Sequence, residues 1–469
     1  MREYGGMDQF VIPIILSADL FIIALSIFGV IDSIKEHETR PTVIISLGGL
    51  GHTALIPVIL YMPALRQLVL GYFGVIGVVL IVLLIPAKQN KEALLGSKGY
   101  RKGEYSRVDE RDIVFARNKL KQDTPQYEEY YRSHPKSKTI DDTIRVQRSK
   151  RQLGKIDGGH PANRSMIQAN HAISPILGRV AHAVPKDGAV REEISPERAT
   201  EIVKGLTKHL GACSVGTCEV NPDVVYSHKG EIHYENWDDW GRPIEDTPGY
   251  ALVFVTEMAY ENVASAPHTP ESTESSNNYA LGAYISTVVS QWFRNMGYIG
   301  LAQHQRHYTV ITPMIALDAG LGEVGRQGFL ITPKQGARVR VFAVLTDMPL
   351  VSDNPISFGV DEFCVRCQKC AETCPSKSIP LGKKTINNGV EKWILEPETC
   401  FKYWGEVGTD CGICMATCPF SRPDTLIHNI IRWFVANSHL ARIYFPYVEY
   451  ALYGRDWKPK PVSKWLNYD

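Results

Sequence analysis

Cys364-Val-Arg-Cys367-Gln-Lys-Cys370-Ala-Glu-Thr-Cys374-Pro375 has the spacing C-x2-C-x2-C-x3-C-P. That spacing belongs to iron–sulfur ligation, and in two-cluster proteins its fourth cysteine ligates the other cluster. The two-residue steps let a tight loop place successive sulfurs on one cubane. The longer step carries the next sulfur to the neighbouring one. A second set follows: Cys400, then Cys411, Cys414 and Cys418-Pro419. Its last three members repeat C-x2-C-x3-C-P, and Cys400 supplies the displaced first position. We therefore expect two [4Fe–4S] sites, one held by Cys364, Cys367, Cys370 and Cys418, the other by Cys374, Cys400, Cys411 and Cys414. Zinc also takes thiolates, but its usual pairs are separated by longer stretches. Disulfides would not need two runs each closed by Cys-Pro.

The chain has 469 residues, enough for two or three domains. Its net charge of +1 gives no global bias toward nucleic acid, and none is expected as a partner. Of ten cysteines, only Cys213 and Cys218 fall outside the two sets, too few for a secreted disulfide scaffold. Cluster thiolates agree with a reducing compartment.

Upstream, Phe10–Ile31, Pro41–Met62 and Leu65–Ala87 are almost wholly apolar. Each is about 20 residues, the length that crosses a bilayer core. The first is longer than a signal-peptide apolar region, no twin arginine precedes it, and two more runs follow. We expect a three-helix membrane anchor over residues 1–87. Lys35 and Arg40, and then Lys88, Lys91, Lys98, Arg101 and Lys102, fall on one side of it, with only Arg2 and Arg66 on the other. The positive-inside rule then turns the large C-terminal portion toward the cytoplasm. Asp19 and His52 sit mid-run. Ionisable groups at that depth face a bundle interior, either as a quinol or proton site or as a structural pair.

Residues 88–172 are polar and charged and read as a cytoplasmic linker or wrapping segment. A folded core is expected over 173–350: an amphipathic helix at Glu197–Leu210, a buried strand at Tyr250–Met258, and a polar loop from His268 to Asn278. A strongly periodic helix follows, with Tyr279 at its N-terminal edge and Tyr284 on its apolar face, read as core. Gly328–Thr332 and Arg338–Thr346 read as strands. Helices alternating with strands point to an α/β layered core. Gly320, Gly322, Gly325 and Gly328 lie in one run that lacks a Walker lysine and a clean G-x-G-x-x-G. They either let backbone approach a large cofactor or serve positive-φ turns. Residues 351–425 form the two-cluster, ferredoxin-like domain. Residues 426–469, rich in Trp, Phe and Tyr, read as an aromatic cover that excludes water from the clusters, or as a plain packing helix.

From roughly Asn170 to Phe420 the chain resembles the cobalamin-dependent reductive dehalogenases. The resemblance rests on Tyr279 ahead of a helix ending Met-Gly-Tyr298, and on Ala-Leu-Asp-Ala-Gly-Leu-Gly-Glu-Val-Gly-Arg at 316–326. It rests further on Leu-Ile-Thr-Pro333, Ala-Arg338-Val-Arg340, Thr-Asp-Met-Pro-Leu350, Phe-Cys364 and both cysteine runs. It implies a corrinoid (cobalamin, base-off) in a nitroreductase-like α/β core, with electrons arriving through two [4Fe–4S] clusters and a carbon–halogen bond replaced by carbon–hydrogen. By motif matching the proton donor is Tyr279 and the basic residue beside it Arg338. A phenol near pKa 10 is a poor acid at neutral pH, and a guanidinium nearby favours the state left after proton donation. Gln305 stands nearest the place where the family often has Asn. The implied partners are a halogenated organic substrate, the lipid bilayer, and menaquinol or another membrane electron donor. Respiratory members mostly carry a twin-arginine signal and pair with a separate three-span anchor protein. Here the runs are fused to the chain, which points to a multi-pass protein of the cytoplasmic membrane with its active site inside.

Two other readings compete. An epoxyqueuosine reductase-like enzyme shares the core and both cluster motifs but is soluble and binds tRNA. A non-catalytic membrane electron carrier explains the apolar runs and clusters but not the long core from Ile173 to Leu350.

Overall fold

The computed structural model describes residues 86–466, apart from 151, 187, 233–236, 306 and 463. Two of the apolar runs lie outside these residues, with Asp19 and His52, as does the third except for its last two positions. Among the described residues no helix is long and apolar enough to cross a membrane. The described residues divide into two compact units, one of residues 89–422 and 456–466, the other of 86–88 and 423–455.

The larger unit is built, in chain order, from α1 (Pro161–Gly178), β1 (His182–Ala183), α2 (Pro196–His209), β2 (Ser214–Glu219) and β3 (Tyr250–Glu257). It continues with α3 (Thr269–Asn295), β4 (Gly300–Gln303), α4 (Thr312–Asp318), β5 (Glu323–Val324), β6 (Leu330–Ile331) and β7 (Val339–Thr346). Five strands make one sheet in the order β1-β4-β7-β3-β2, every pairing antiparallel, while β5 and β6 form a separate hairpin. Alternate strand residues go to opposite faces. Leu252, Phe254, Phe342 and Val344 pack against Val203 of α2 and Ile285, Val289 and Phe293 of α3. Ala251, Val253, Val255, Ala343 and Leu345 pack against Ile315, Ala316 and Leu317 of α4. Antiparallel sheets commonly leave one face wet. Here both are covered, so β3 reads as the unbroken Ala-Leu-Val-Phe-Val rather than an alternation.

The polar stretch His268–Asn278, expected as a loop, is the first part of the 27-residue α3. Two of its hydroxyls are satisfied within the helix: Thr273 Oγ1 donates to Thr269 O (3.0 Å) and Ser276 Oγ to Thr273 O (2.9 Å). Asp157 caps it from outside, accepting from Thr269 N and Oγ1, both at 2.7 Å. A carboxylate there satisfies orphan N–H groups and suits the helix dipole. Hydrophobic periodicity cannot register a helix whose buried face is Ser, Thr and Asn. Tyr279 consequently lies well inside α3, not at its start. Tyr284 is 47% exposed and is not core.

Helix α3 rides close on β7. A Cβ at Gly282 would stand 2.1 Å from Phe342 Cζ. Gly282→Ala should therefore displace the Phe342 ring and lower stability by about 1–3 kcal/mol, as overpacking does, measurable as a shift in the denaturant midpoint.

The segment expected as a polar linker is folded. Helices Val114–Lys119, Pro125–Ser133 and Pro135–Ser149 gather Leu120, Tyr127, Tyr130 and Tyr131 into a small core. Tyrosines can be buried there because their hydroxyls reach carboxylates: Tyr130 bonds Asp112 and Tyr131 bonds Asp141, both at 2.9 Å.

Beyond β7 the two cysteine runs fold alike. Each enters a short helix, α5 (Lys369–Glu372) or α6 (Ile413–Ala416), through a left-handed residue: Gln368 at φ 49° and Gly412 at φ 70°. Thr373 and Thr417, at matching positions, meet Oγ1 to Oγ1 at 3.3 Å.

In the smaller unit, α7 (Leu426–Asn437) and α8 (His439–Tyr453) pack as a hairpin. Ser438 ends the first and caps the second, accepting from Ala441 N at 3.3 Å.

Candidate active site

A cavity of about 250 Å³ opens beside β7. Val339, Val341, Phe342 and Leu330 give it apolar walls, and Tyr279, Arg340, Gln305, His304, Tyr308 and Met415 bring polar or polarisable groups.

Tyr279 comes from the middle of α3. Its ring stands edge-on to Phe342 (6.5 Å between centroids, 89°) and faces His171 of α1 at 6.2 Å. The cation above it is Arg340, whose guanidinium carbon lies 5.0 Å from the ring centroid. Arg340 Nη2 donates to Ser275 Oγ (2.7 Å), which donates to Asp410 Oδ2 (3.0 Å), and Nη1 lies 3.6 Å from Met415 Sδ. Burial alone would lower the Arg340 pKa. Tyr279, Glu271, Asp410 and Cys414 outweigh it and hold the guanidinium above its ordinary value.

Arg338, expected beside Tyr279, is elsewhere. Its guanidinium is 1% exposed and donates to Ser421 O (2.7 Å), Met258 O (2.5 Å) and Glu257 Oε1 (3.2 Å). Arg338 and Arg340 are two residues apart, so both sit on the same side of the strand. Arg338 precedes β7 and lies past the sheet, where backbone carbonyls take it. Arg338→Met should leave those carbonyls unsatisfied and cost about 3 kcal/mol, read in chemical denaturation. Arg340→Met should change stability less and catalysis more.

Gln305 does line the cavity, its amide 3.3 Å from His171 Nδ1. His304 beside it is 2% exposed, and neither ring nitrogen has a hydrogen-bond partner among the described residues. Burial pushes its imidazole down to about 4, so it is neutral. Nothing in the sequence singled out His171, His304 or Ser275. Arg340 stood in a quoted motif, unchosen.

The glycines of the 320–328 run mostly answer to the protein itself. A Cβ on Gly320 would meet Asn354 O at 2.4 Å, on Gly322 Ile331 O at 2.1 Å, and on Gly325 Gln327 Oε1 at 2.8 Å. Only Gly328, left-handed at φ +80°, has open space beside it.

The cysteines fall into two groups. Cys364, Cys367, Cys370 and Cys418 surround one small cavity with Arg326, Gln327, Phe363 and Phe420. Burial pushes the Cys364 thiol up to about 12, and Cys418 adds to it. Arg326 donates to Cys364 O (3.0 Å) and Val365 O (3.3 Å) and braces this loop. In the other group burial raises Cys414, and Cys411, Cys400 and Cys374 raise it further. Cys411 is pushed up to about 12 by burial, Glu271, Cys400 and Cys374. Burial likewise pushes the Glu271 carboxyl up to about 8, with Asp410 contributing. The first group is buried throughout, while Cys400, Cys411 and Cys414 of the second are half-buried; four thiolates are the donor set a [4Fe–4S] cube takes.

Residues 363–421 match the 4Fe-4S dicluster domain. Tetrachloroethene reductive dehalogenase of Sulfurospirillum multivorans is 32% identical over 273 residues, covering 52% of this chain and 54% of that protein. A solved variant of the catabolic reductive dehalogenase NpRdhA superposes with a TM-score of 0.61 at 26% identity, covering 77% of this chain and 50% of that one.

The chain is related to the reductive dehalogenases.

It spans about half the length of the curated relatives it matches. These relatives are oxidoreductases, and the fold described above is a reductive dehalogenase-like fold of mixed helix and sheet with a dicluster domain. NpRdhA has been solved with 3-bromo-4-hydroxybenzoic acid (26% identity, TM-score 0.59, 77% of this chain and 50% of that one), and a solved reductive dehalogenase structure suggests a mechanism for B12-dependent dehalogenation.

Proposed function

We propose that the protein is a reductive dehalogenase that replaces a carbon–halogen bond of an organic substrate by carbon–hydrogen. The balance is two electrons and one proton in, halide out. The observation that carries this reading is Tyr279 on the cavity wall with the Arg340 cation over its ring, on the same side as the Cys414 group of thiols.

A corrinoid, when bound, supplies the low-potential centre at which such a bond is broken. The apolar wall of Phe329, Leu330, Ala337 and Val339, together with the unpartnered nitrogens of His304 and Arg340 Nε, suits one edge of a mostly apolar ligand with a few polar contacts. Phe329, Leu330 and Val339 would hold it, with Gly328 leaving room for backbone approach. Two [4Fe–4S] clusters on the eight cysteines would bring in the electrons.

Tyr279 donates the proton to the carbon that loses halide. Arg340 offsets the charge left on the phenol, and the Ser275–Asp410 chain keeps the guanidinium from swinging into the cavity. Gln305, held by His171, orients the substrate from the side. Arg338 has a structural part and does not assist. The apolar runs at 10–87 anchor the chain in the cytoplasmic membrane with the catalytic portion inside, and menaquinol or another membrane donor feeds the clusters.

Anaerobic purification in detergent followed by iron and cobalt quantification and EPR tests the reading. The expected outcome is about eight irons and one cobalt per chain. A full iron complement with no cobalt after cobalamin reconstitution would leave an electron carrier instead.

A further inference from the structure

The hairpin of α7 and α8 is built inside out. Its buried side holds charge: Arg442 is 2% exposed and Glu449 8%. Arg442 Nε donates to Val435 O (2.9 Å), Nη2 to Ala436 O (2.8 Å) and Nη1 to Lys88 O (3.2 Å). Its outer side holds one charge, the half-buried Arg432, whose Nη1 donates to Asn429 Oδ1 at 2.7 Å. The fully exposed positions within the two helices include no Lys, Arg, Asp or Glu. Ile430 (36%) and Trp433 (52%) follow one another at helical spacing on α7, and Tyr444 (58%), Tyr447 (63%) and Val448 (42%) do so on α8. A helix at a water surface carries its charges outward.

We infer that this hairpin lies in the interfacial layer of a lipid bilayer, with the Trp433 and Tyr447 side of the two helices turned toward the acyl chains. Trp and Tyr are the side chains that favour that layer, having an apolar body and a polar edge. The helices are too short to cross: 12 and 15 residues rise about 18 and 22 Å against a core of about 30 Å.

Lipid, not a protein partner, is singled out by where the hairpin is fastened. Ala87, the last residue of the apolar run Leu65–Ala87, donates its N–H to Asn437 O at 2.8 Å, and Pro86 bridges Ser438. The α7–α8 turn is thus pinned to the point where a bilayer-length apolar sequence ends. The inference extends the anchoring reading and makes the C-terminal hairpin a second membrane contact.

The test uses the full chain in its membrane, with a photo-crosslinking phenylalanine analogue placed at 433, at 447 or, as control, at the exposed position 284 of α3. Lipid adducts at 433 and 447, several-fold above those at 284, are expected. Crosslinks only to protein, whether to this chain or to a second copy, would overturn the hairpin proposal while a membrane-bound chain leaves the anchor reading standing. A chain that carbonate washing releases to the supernatant would overturn both.

Discussion

Tyr279→Phe, loaded with clusters and corrinoid to the wild-type level, is expected to dehalogenate roughly 10²–10⁴-fold more slowly. The substitution removes one oxygen and little else. Phenylalanine keeps the edge contact with Phe342 and a face for the Arg340 cation, so the fold should hold. Steady-state halide release with an artificial low-potential reductant reads the rate, and iron and cobalt content show that loading is unchanged. If substrate still binds, the loss should fall on kcat rather than KM, because a proton donor acts in the transition state. A rate within a few-fold of wild type would remove Tyr279 from the mechanism and turn attention to the other polar groups on the cavity wall.

The second large effect belongs to Cys414. Cys414→Ser should halve the iron, from about eight to about four per chain, abolish one of two cluster signals, and end substrate turnover. Cys414 is the thiol of its group that faces Arg340, and the three thiols that crowd it are Cys411, Cys400 and Cys374. Cys213→Ser makes the control, since Cys213 belongs to neither group and hydrogen-bonds Val255 O at 3.3 Å. Unchanged iron in Cys414→Ser would sink the division of the eight cysteines into these two sets of four.

The cysteine spacing announced the dicluster segment because ligation by a cubane leaves a fixed covalent imprint on the chain. Strands β3 and β7 were legible for another reason: runs such as Ala251–Val255 are apolar enough to be buried on both faces. The first half of α3 was not, since its buried residues are Ser, Thr and Asn and its stability comes from hydrogen bonds to its own backbone and to Asp157. Nor was the choice between Arg338 and Arg340. Two arginines a strand repeat apart look alike in sequence, and only the end of the sheet separates them. His171 and His304 come from distant elements and carried no pattern at all.

Helix α3 works as a gauge. Glu271 packs against the Gly412 turn of one cysteine run, Ser272 and Ser275 hold Asp410 beside it, and Tyr279 looks into the cavity two turns later. The eight helical steps from Glu271 to Tyr279 set a separation of about 12 Å, and an angle, by helical geometry alone. Inserting or deleting one residue there would swing the phenol by about 100° around the axis while leaving every amino acid of the site in place. A change of length in this stretch should therefore separate the phenol from the Gly412 turn even where the composition of the site is untouched.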